Sequence, residues 1–147
     1  MDMYANPARP EELAEHFAQI RQDRPNYLRR WDLLERYVER VRAEGFEAFP
    51  SSGGVRIGAP MHRVSPAYAN HTGKIDIDLP ESSDEQLLTL PFMGRKDPVT
   101  EQRVKTTHWW FVNLRVAEDL GNEQEALEKA VTLTCRAAEW MSNGRTD

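Results

Sequence analysis

Cysteine is nearly absent from the sequence, and so are the features of a secreted or membrane protein. The single cysteine, Cys135, has no partner for an intrachain disulfide. No apolar run approaches the roughly 20 residues that a membrane-spanning helix needs. The first residues, MDMY, lack the basic start and the apolar core of a secretory signal. We therefore expect a cytoplasmic protein that does not insert into a membrane.

Hydrophobic residues are also few, at 39% of 147 residues. A chain of this length nevertheless buries roughly 70% of its unfolded surface when it folds. The length is close to the commonest size of one domain, and no repeat or low-complexity segment divides the chain. We expect a single domain over residues 1–147 that needs no disulfide and no structural metal.

Positive charge is scarce in the second half of the sequence. Residues 1–74 carry 11 Lys/Arg and 10 Asp/Glu, a net charge of +1, whereas residues 75–147 carry 8 and 14, a net charge of −6. The overall charge of −5 makes nucleic acid an unlikely partner for the whole protein. A local basic patch in the first half is the alternative.

Two amphipathic helices are predicted in the first 45 residues. Over residues 10–22, a helical face of spaced apolar residues follows two acids in the first turn. Pro25 suits the first position of a second helix, and Gly45 suits its left-handed end. The predicted apolar face of the second helix consists of Tyr27, Trp31, Leu34, Val38 and Val41.

Short β-forming segments lie between the glycines and prolines of residues 46–92. Residues 51–54 are interpreted as a hairpin turn, and residues 65–73 as a loop. Strands are predicted at residues 46–49, 55–57, 61–64 and 74–79, with a last one at 87–92. Together they predict a small antiparallel sheet.

The last third of the sequence is interpreted as a helical hairpin. Asp97 and Pro98 form a typical helix start, and Gly121 is a typical helix end. Residues 104–116 are also rich in β-formers, so a strand there is the alternative. Asn122 caps the final helix. The sequence thus predicts an α+β fold with two N-terminal helices, a small antiparallel sheet and a C-terminal helical hairpin.

Two carboxylates in the strand predicted over residues 74–79 are candidates for chemistry. Asp76 and Asp78 are two residues apart, so on a strand both face the same side and could hold one Mg²⁺. This pattern resembles the metal site of nucleotidyltransferases of the polymerase-β type, over residues 75–79 only. That family also has a Gly-Ser pair that opens a helix upstream, whereas residues 51–54 read Ser-Ser-Gly-Gly with no helical pattern after them. We predict no metal ligand, no catalytic residue and no cofactor.

The candidate binding residues fall in predicted helices. Arg29, Arg36 and Arg40 lie within roughly 40° of one another on the second helix, opposite its apolar face. Their guanidinium groups suit carboxylate or phosphate partners. Trp109 and Trp110 belong to a predicted helix that is apolar nearly all round, which suits burial or a protein interface.

These features favour a binding protein over an enzyme. We predict a small intracellular protein-binding domain, such as an inhibitor, an immunity or anti-defence factor, or an assembly adaptor. Its partner is another protein or a second copy of the chain, as a homodimer. One alternative is a metal-dependent enzyme that acts on a nucleotide or phosphoester through Asp76 and Asp78. The other is a weak nucleic-acid binder that uses the second helix.

Overall fold

The computed structural model describes residues 6–26, 29–59, 64–79, 85–96 and 108–143. Within them, helices and strands alternate in blocks, which confirms the predicted α+β class. The helices are α1 (Pro10–Asp23), α2 (Asp32–Ala43), α3 (Leu114–Leu120) and α4 (Glu123–Ser142), with a 3-10 helix at Glu85–Thr89. The strands are β1 (Glu47–Ser51), β2 (Gly54–Ala59), β3 (Val64–Asn70), β4 (Lys74–Leu79), β5 (Met93–Lys96) and β6 (His108–Asn113). No helix among these residues has the length and apolar character needed to cross a bilayer.

The six strands form one antiparallel sheet in the order β1-β2-β3-β4-β6-β5. Strand β4 has the predicted bounds, and its side chains alternate in burial as expected. Helix α4 packs across β3 and β4, and α2 packs on α4 and β1. The predicted hairpin turn is confirmed, since Ser51 pairs with Gly54 across two turn residues.

The two faces of the sheet differ in character. On one face, buried residues of the central strands, such as Ile57, Ala69 and Ile77, join the hydrophobic core with α2 and α4. The half-buried residues that alternate with them lie on the other face. We call this second side, which carries Arg56, Tyr68, Asp76 and Asp78, the polar face.

The second helix begins later than predicted. Pro25 lies in a turn, and α2 starts at Asp32. The backbone N–H groups of Arg29 and Arg30 donate to the carboxylate of Glu118 in α3, at 3.3 and 2.5 Å, and this holds the segment in a non-helical path. Of the predicted apolar face, Trp31, Leu34, Val38 and Val41 are buried, and Tyr27 lies outside the described residues.

Strand β3 occupies most of the segment that was predicted as a loop over residues 65–73. Pro66 has no N–H for a central strand, which is why the sequence indicated a loop. The structure accommodates it where the register of β2 and β3 shifts beyond Ile57. There the Ser65 hydroxyl donates to the Ile57 carbonyl at 3.0 Å, in place of a backbone donor. Of the strand predicted over 61–64, residues 61–63 lie outside the described residues.

The C-terminal part contains a strand where a long helix was favoured. Residues 108–113 form β6, which pairs with β4 and β5, so the alternative of a strand over 104–116 is confirmed for these six residues. Residues 114–116 belong to α3, and residues 104–107 lie outside the described residues. The helix start lies at Asn113, whose side chain accepts from the backbone of Arg115 and Val116, while Asp97 and Pro98 lie outside the described residues. The predicted hairpin is present as α3 and α4, but its first helix is only 7 residues long.

The last strand predicted in the middle block is also displaced. Residues 87–89 belong to the 3-10 helix, and β5 begins at Met93. Leu87 and Phe92 are both buried, whereas Leu88 is exposed. The buried apolar residues of this segment therefore contribute to the core, although its backbone forms a turn. The segment has the composition of a strand but not the conformation of one.

Candidate binding groove on the polar face

A groove of about 390 Å³ lies on the polar face, over β2, β3 and β4. Arg56 from β2 and Tyr68 from β3 line it, together with Asp76 and Asp78 from β4. All four side chains are half-buried. The groove therefore brings a cation, an aromatic ring and two carboxylates onto one rigid support.

The register of the sheet places these residues in a row. Arg56 is opposite Tyr68, and Tyr68 is opposite Asp76. Neighbouring strands are about 4.8 Å apart, so Arg56 and Asp76 lie roughly 10 Å apart across the face. Positive charge consequently lies over β2 and negative charge over β4, with an aromatic ring between them.

Contacts within the chain hold two of these side chains in position. The guanidinium carbon of Arg56 lies 4.4 Å from the ring centroid of Phe49, a buried residue of β1. The Tyr68 hydroxyl is 2.6 Å from the hydroxyl of Ser51. A side chain that is ordered before binding loses less conformational entropy when a ligand arrives.

A second aromatic contact extends the polar face beside the groove. Phe111 in β6 is opposite Asp76, and the Lys74 ammonium lies 4.7 Å from its ring centroid. A Cβ atom added at Gly94 would lie 2.3 Å from the Phe111 ring, so the ring crosses β5 where only glycine leaves room. The row of residues on the polar face therefore continues from β2 to β5.

Asp76 and Asp78 share one side of β4, as predicted. Within the described residues, no group of three or more His, Cys, Asp and Glu side chains is arranged to hold a metal ion. Both carboxylates contribute negative charge to the wall of the groove. The absence of a metal site and of a catalytic residue stays a prediction.

The arginines predicted to bind a partner contact the chain's own third and fourth helices. Arg40 reaches the Glu128 carboxylate with both terminal nitrogens, one of them at 3.0 Å, and this hydrogen bonding lowers the pKa of Glu128. The other contacts are Arg29 to Asp119 at 2.7 Å and Arg36 to Gln124 at 2.9 Å. Arg36 and Arg40 thus connect α2 to the C-terminal hairpin, whereas Arg29, predicted on the same helix, lies in the segment before α2 and connects that segment to α3.

The two tryptophans proposed for binding are part of β6. Trp110 is fully buried and pairs with Ile77, and the guanidinium carbon of Arg95 lies 5.2 Å from its ring centroid. Trp110 therefore packs in the core of this chain, and its role in binding a partner stays a prediction. The backbone of Trp109 pairs with Asp78, and its side chain lies outside what the structure describes.

Sequence reasoning missed Arg56 and Tyr68 as groove residues. Arg56 could have been identified from the sequence, because it lies between two apolar residues of a predicted strand. Tyr68 was hidden in the segment that Pro66 marked as a loop. No protein-family model matches the chain, and no solved structure matches it.

Proposed function

We propose that this chain is a small protein-binding domain that engages its partner through the polar face of the sheet. The observation that carries the proposal is the groove of about 390 Å³, with its ordered row of arginine, tyrosine and aspartate side chains. Arginine and tyrosine are enriched among the residues that dominate binding energy in protein interfaces. An inhibitor, an immunity factor or an assembly adaptor would all use such a surface.

The size of the surface supports a protein partner over a small molecule. The groove is continuous with the Phe111 and Lys74 contact through the pairing of Asp76 with Phe111. A ligand that covered the whole row would span five strands, or about 20 Å at the usual strand spacing. That dimension is typical of a polypeptide segment.

The location differs from the helical one predicted from sequence. The guanidinium groups of Arg29 and Arg40 contact acids of α3 and α4, and a partner would have to replace those contacts. Binding at the polar face would leave these contacts between the arginines and the hairpin in place. We therefore assign the partner surface to the sheet and a connecting role to the arginines.

The test is quantitative capture of a protein from native lysate by purified variants. We expect Tyr68→Ala to reduce capture of the same protein by about tenfold or more, because it removes the central ring of the row. Thr132→Ala, on the exposed side of α4, is the matched control and should capture normally. Both variants must keep the melting temperature of the unsubstituted chain.

Two outcomes would move the surface elsewhere. Loss of capture in Arg36→Ala, with normal capture by Tyr68→Ala, would return it to the helices. Capture of a second copy, seen as a doubled mass in sedimentation, would identify the homodimer as the complex.

A metal-dependent activity on a nucleotide or phosphoester is the second candidate, favoured by the two carboxylates in the groove. Stoichiometric binding of Mg²⁺ or Mn²⁺ in calorimetry, abolished by Asp76→Ala with Asp78→Ala, would support it. Two carboxylates alone supply fewer ligands than such ions usually take from protein and substrate together. We accordingly expect no saturable heat.

A further inference from the structure

We propose that the groove binds an uncharged aromatic side chain of its partner, stacked against the ring of Tyr68. The inference rests on the proposed function, because it specifies which kind of side chain the polar face recognises. It follows from two features of the groove: its charged side chains already interact within the chain, and the hydroxyl of Tyr68 is held by a neighbouring strand.

The charged side chains of the groove already have contacts within the chain. The guanidinium carbon of Arg56 lies 4.4 Å from the ring centroid of Phe49. Asp76 and Asp78 each interact with other groups of the chain. A charged ligand would have to compete with these interactions and would lose its own hydration on entering the groove. The electrostatics of the groove therefore favour a neutral side chain.

The first hairpin turn holds the ring of Tyr68 in place. The Tyr68 hydroxyl lies 2.6 Å from the hydroxyl of Ser51, which is the last residue of β1. The turn that follows Ser51 is itself fixed, because ring nitrogens of His71 and His16 donate to two successive carbonyls of the turn, at 2.6 and 2.8 Å. A ligand in the groove therefore meets the Tyr68 ring in a set position, which reduces the entropy lost on binding.

The groove has the size and the lining for one aromatic side chain. Its volume is about 390 Å³, whereas an apolar cavity of about 150 Å³ is large enough for benzene. Pro66, two residues before Tyr68 on the same strand, also lines the groove and adds apolar contact area. An offset or edge-to-face pair of aromatic rings stabilises a complex by more than its buried area alone. The remaining room accommodates the backbone that carries the ring.

The probes are two capped amino acids of nearly equal size, N-acetyl-phenylalanine amide and N-acetyl-cyclohexylalanine amide. NMR titration of the full chain measures the Kd of each probe and locates it by the backbone resonances that shift. We expect the phenyl probe to shift the resonances of Tyr68 and its neighbours in the groove. It should bind about three- to tenfold more tightly than the cyclohexyl probe, which is the gain of an aromatic pair. The corresponding glutamate and lysine amides should bind more weakly than either.

Substitutions at Tyr68 and Ser51 separate the ring from the contact that holds it. Tyr68→Leu removes the ring but keeps an apolar side chain, so the two probes should bind it equally. Thr132→Ala, on the exposed side of α4, should leave both Kd values unchanged. If Tyr68→Leu does not fold, the comparison of the two probes on the unsubstituted chain decides the question.

A double-mutant cycle tests the role of Ser51. Tyr68→Phe and Ser51→Ala each remove the contact between the hydroxyls, so each should weaken binding of the phenyl probe by about threefold. The two together should weaken it no further than either alone, and Ser51→Thr, which keeps a hydroxyl, should bind normally. Additive losses would contradict the role of Ser51 in holding the ring.

The outcomes separate this inference from the proposed function. Equal affinity for the phenyl and cyclohexyl probes, tighter binding of a charged probe, or absence of saturable shifts in the groove would overturn the aromatic selection. If Tyr68→Ala still reduced partner capture in that case, binding at the polar face would stand without it. Any of these results together with normal capture by Tyr68→Ala would overturn both.

Discussion

At the scale of single residues, a buried chain of hydroxyl groups connects α2 to α4. The Thr134 hydroxyl donates to the Ala130 carbonyl at 2.7 Å, so the Tyr37 hydroxyl, 2.7 Å from Thr134, is the donor in their contact. Tyr37 is completely buried, and this burial raises its pKa well above the ordinary value for tyrosine. The folded chain therefore holds this phenol in its neutral form.

The buried phenol makes stability depend on pH in the alkaline range. Unfolded tyrosine ionises near pH 10, whereas Tyr37 in the folded chain keeps its proton above that pH. Its contribution is therefore full below about pH 10 and is lost as the pH rises further, by up to about 1.4 kcal/mol per unit. Urea denaturation from pH 9 to 11 should show a shallower decline for Tyr37→Phe. Equal declines would contradict the prediction.

A glycine in the first hairpin shows a close approach between two backbones. A Cβ atom added at Gly54 would lie 2.0 Å from the carbonyl oxygen of Ala69 in β3. Gly54→Ala should therefore force the strands apart and cost about 1–3 kcal/mol of unfolding free energy. Gly53→Ala is the control, since its Cβ would lie 3.1 Å from the Tyr68 hydroxyl, which is a side-chain atom. Equal melting temperatures of the two variants would refute this.

At the scale of secondary-structure elements, the entry into α2 depends on a carboxylate from α3. Glu118 is only 9% exposed and accepts from the backbone N–H groups of Arg29 and Arg30. Glu118→Ala should cost about 1.5–3 kcal/mol, since two hydrogen bonds to a charged group are lost. The neighbouring exposed Asp119→Ala removes only a surface ion pair and should cost less. Chemical denaturation measures both losses of unfolding free energy, and a larger loss for Asp119→Ala than for Glu118→Ala would contradict the prediction.

Two adjacent aromatic residues of β6 lie on opposite faces of the sheet, so we expect different effects when each is replaced by alanine. Trp110 is fully buried, so Trp110→Ala should cost about 3–5 kcal/mol of stability. Phe111 lies half-buried on the polar face against Gly94 and Lys74, so Phe111→Ala should cost less and reduce partner binding instead. Similar losses of stability in the two variants would contradict the placement of Trp110 and Phe111 on opposite faces of β6.

The elements that were predicted correctly can be recognised from residues within the element itself. Strand β4 alternates within its own six residues, and α1 has its apolar spacing and its first-turn acids in one segment. Strand β3 was missed because the contact that accommodates Pro66 involves another strand, on which the Ile57 carbonyl accepts from the hydroxyl of the neighbouring Ser65. The shared side of Asp76 and Asp78 could be predicted for a similar reason, since the two are separated by one residue of the same strand, whereas Arg56 joins them only through the register of three strands.

At the scale of the whole molecule, surface ion pairs connect the two halves of the sequence, whose net charges differ. The first half carries a net charge of +1 and the second half −6. Arg29 and Arg40 of the first half form ion pairs with Asp119 and Glu128 of the second. These arginines were predicted to bind an anionic surface of a partner. In the folded chain they contact acidic side chains of the C-terminal hairpin.

Reversal of the arginines should therefore weaken the fold before it affects any partner. The triple variant Arg29→Glu, Arg36→Glu and Arg40→Glu places acids against Asp119 and Glu128, so its melting temperature should fall. The fall should be smaller at high salt, because these charges are exposed and screened. Adding Asp119→Arg and Glu128→Arg should restore most of the loss, since the pairs reappear with exchanged signs. An unchanged melting temperature with lost partner capture would instead identify the arginines as the docking surface and remove the structural role assigned to them.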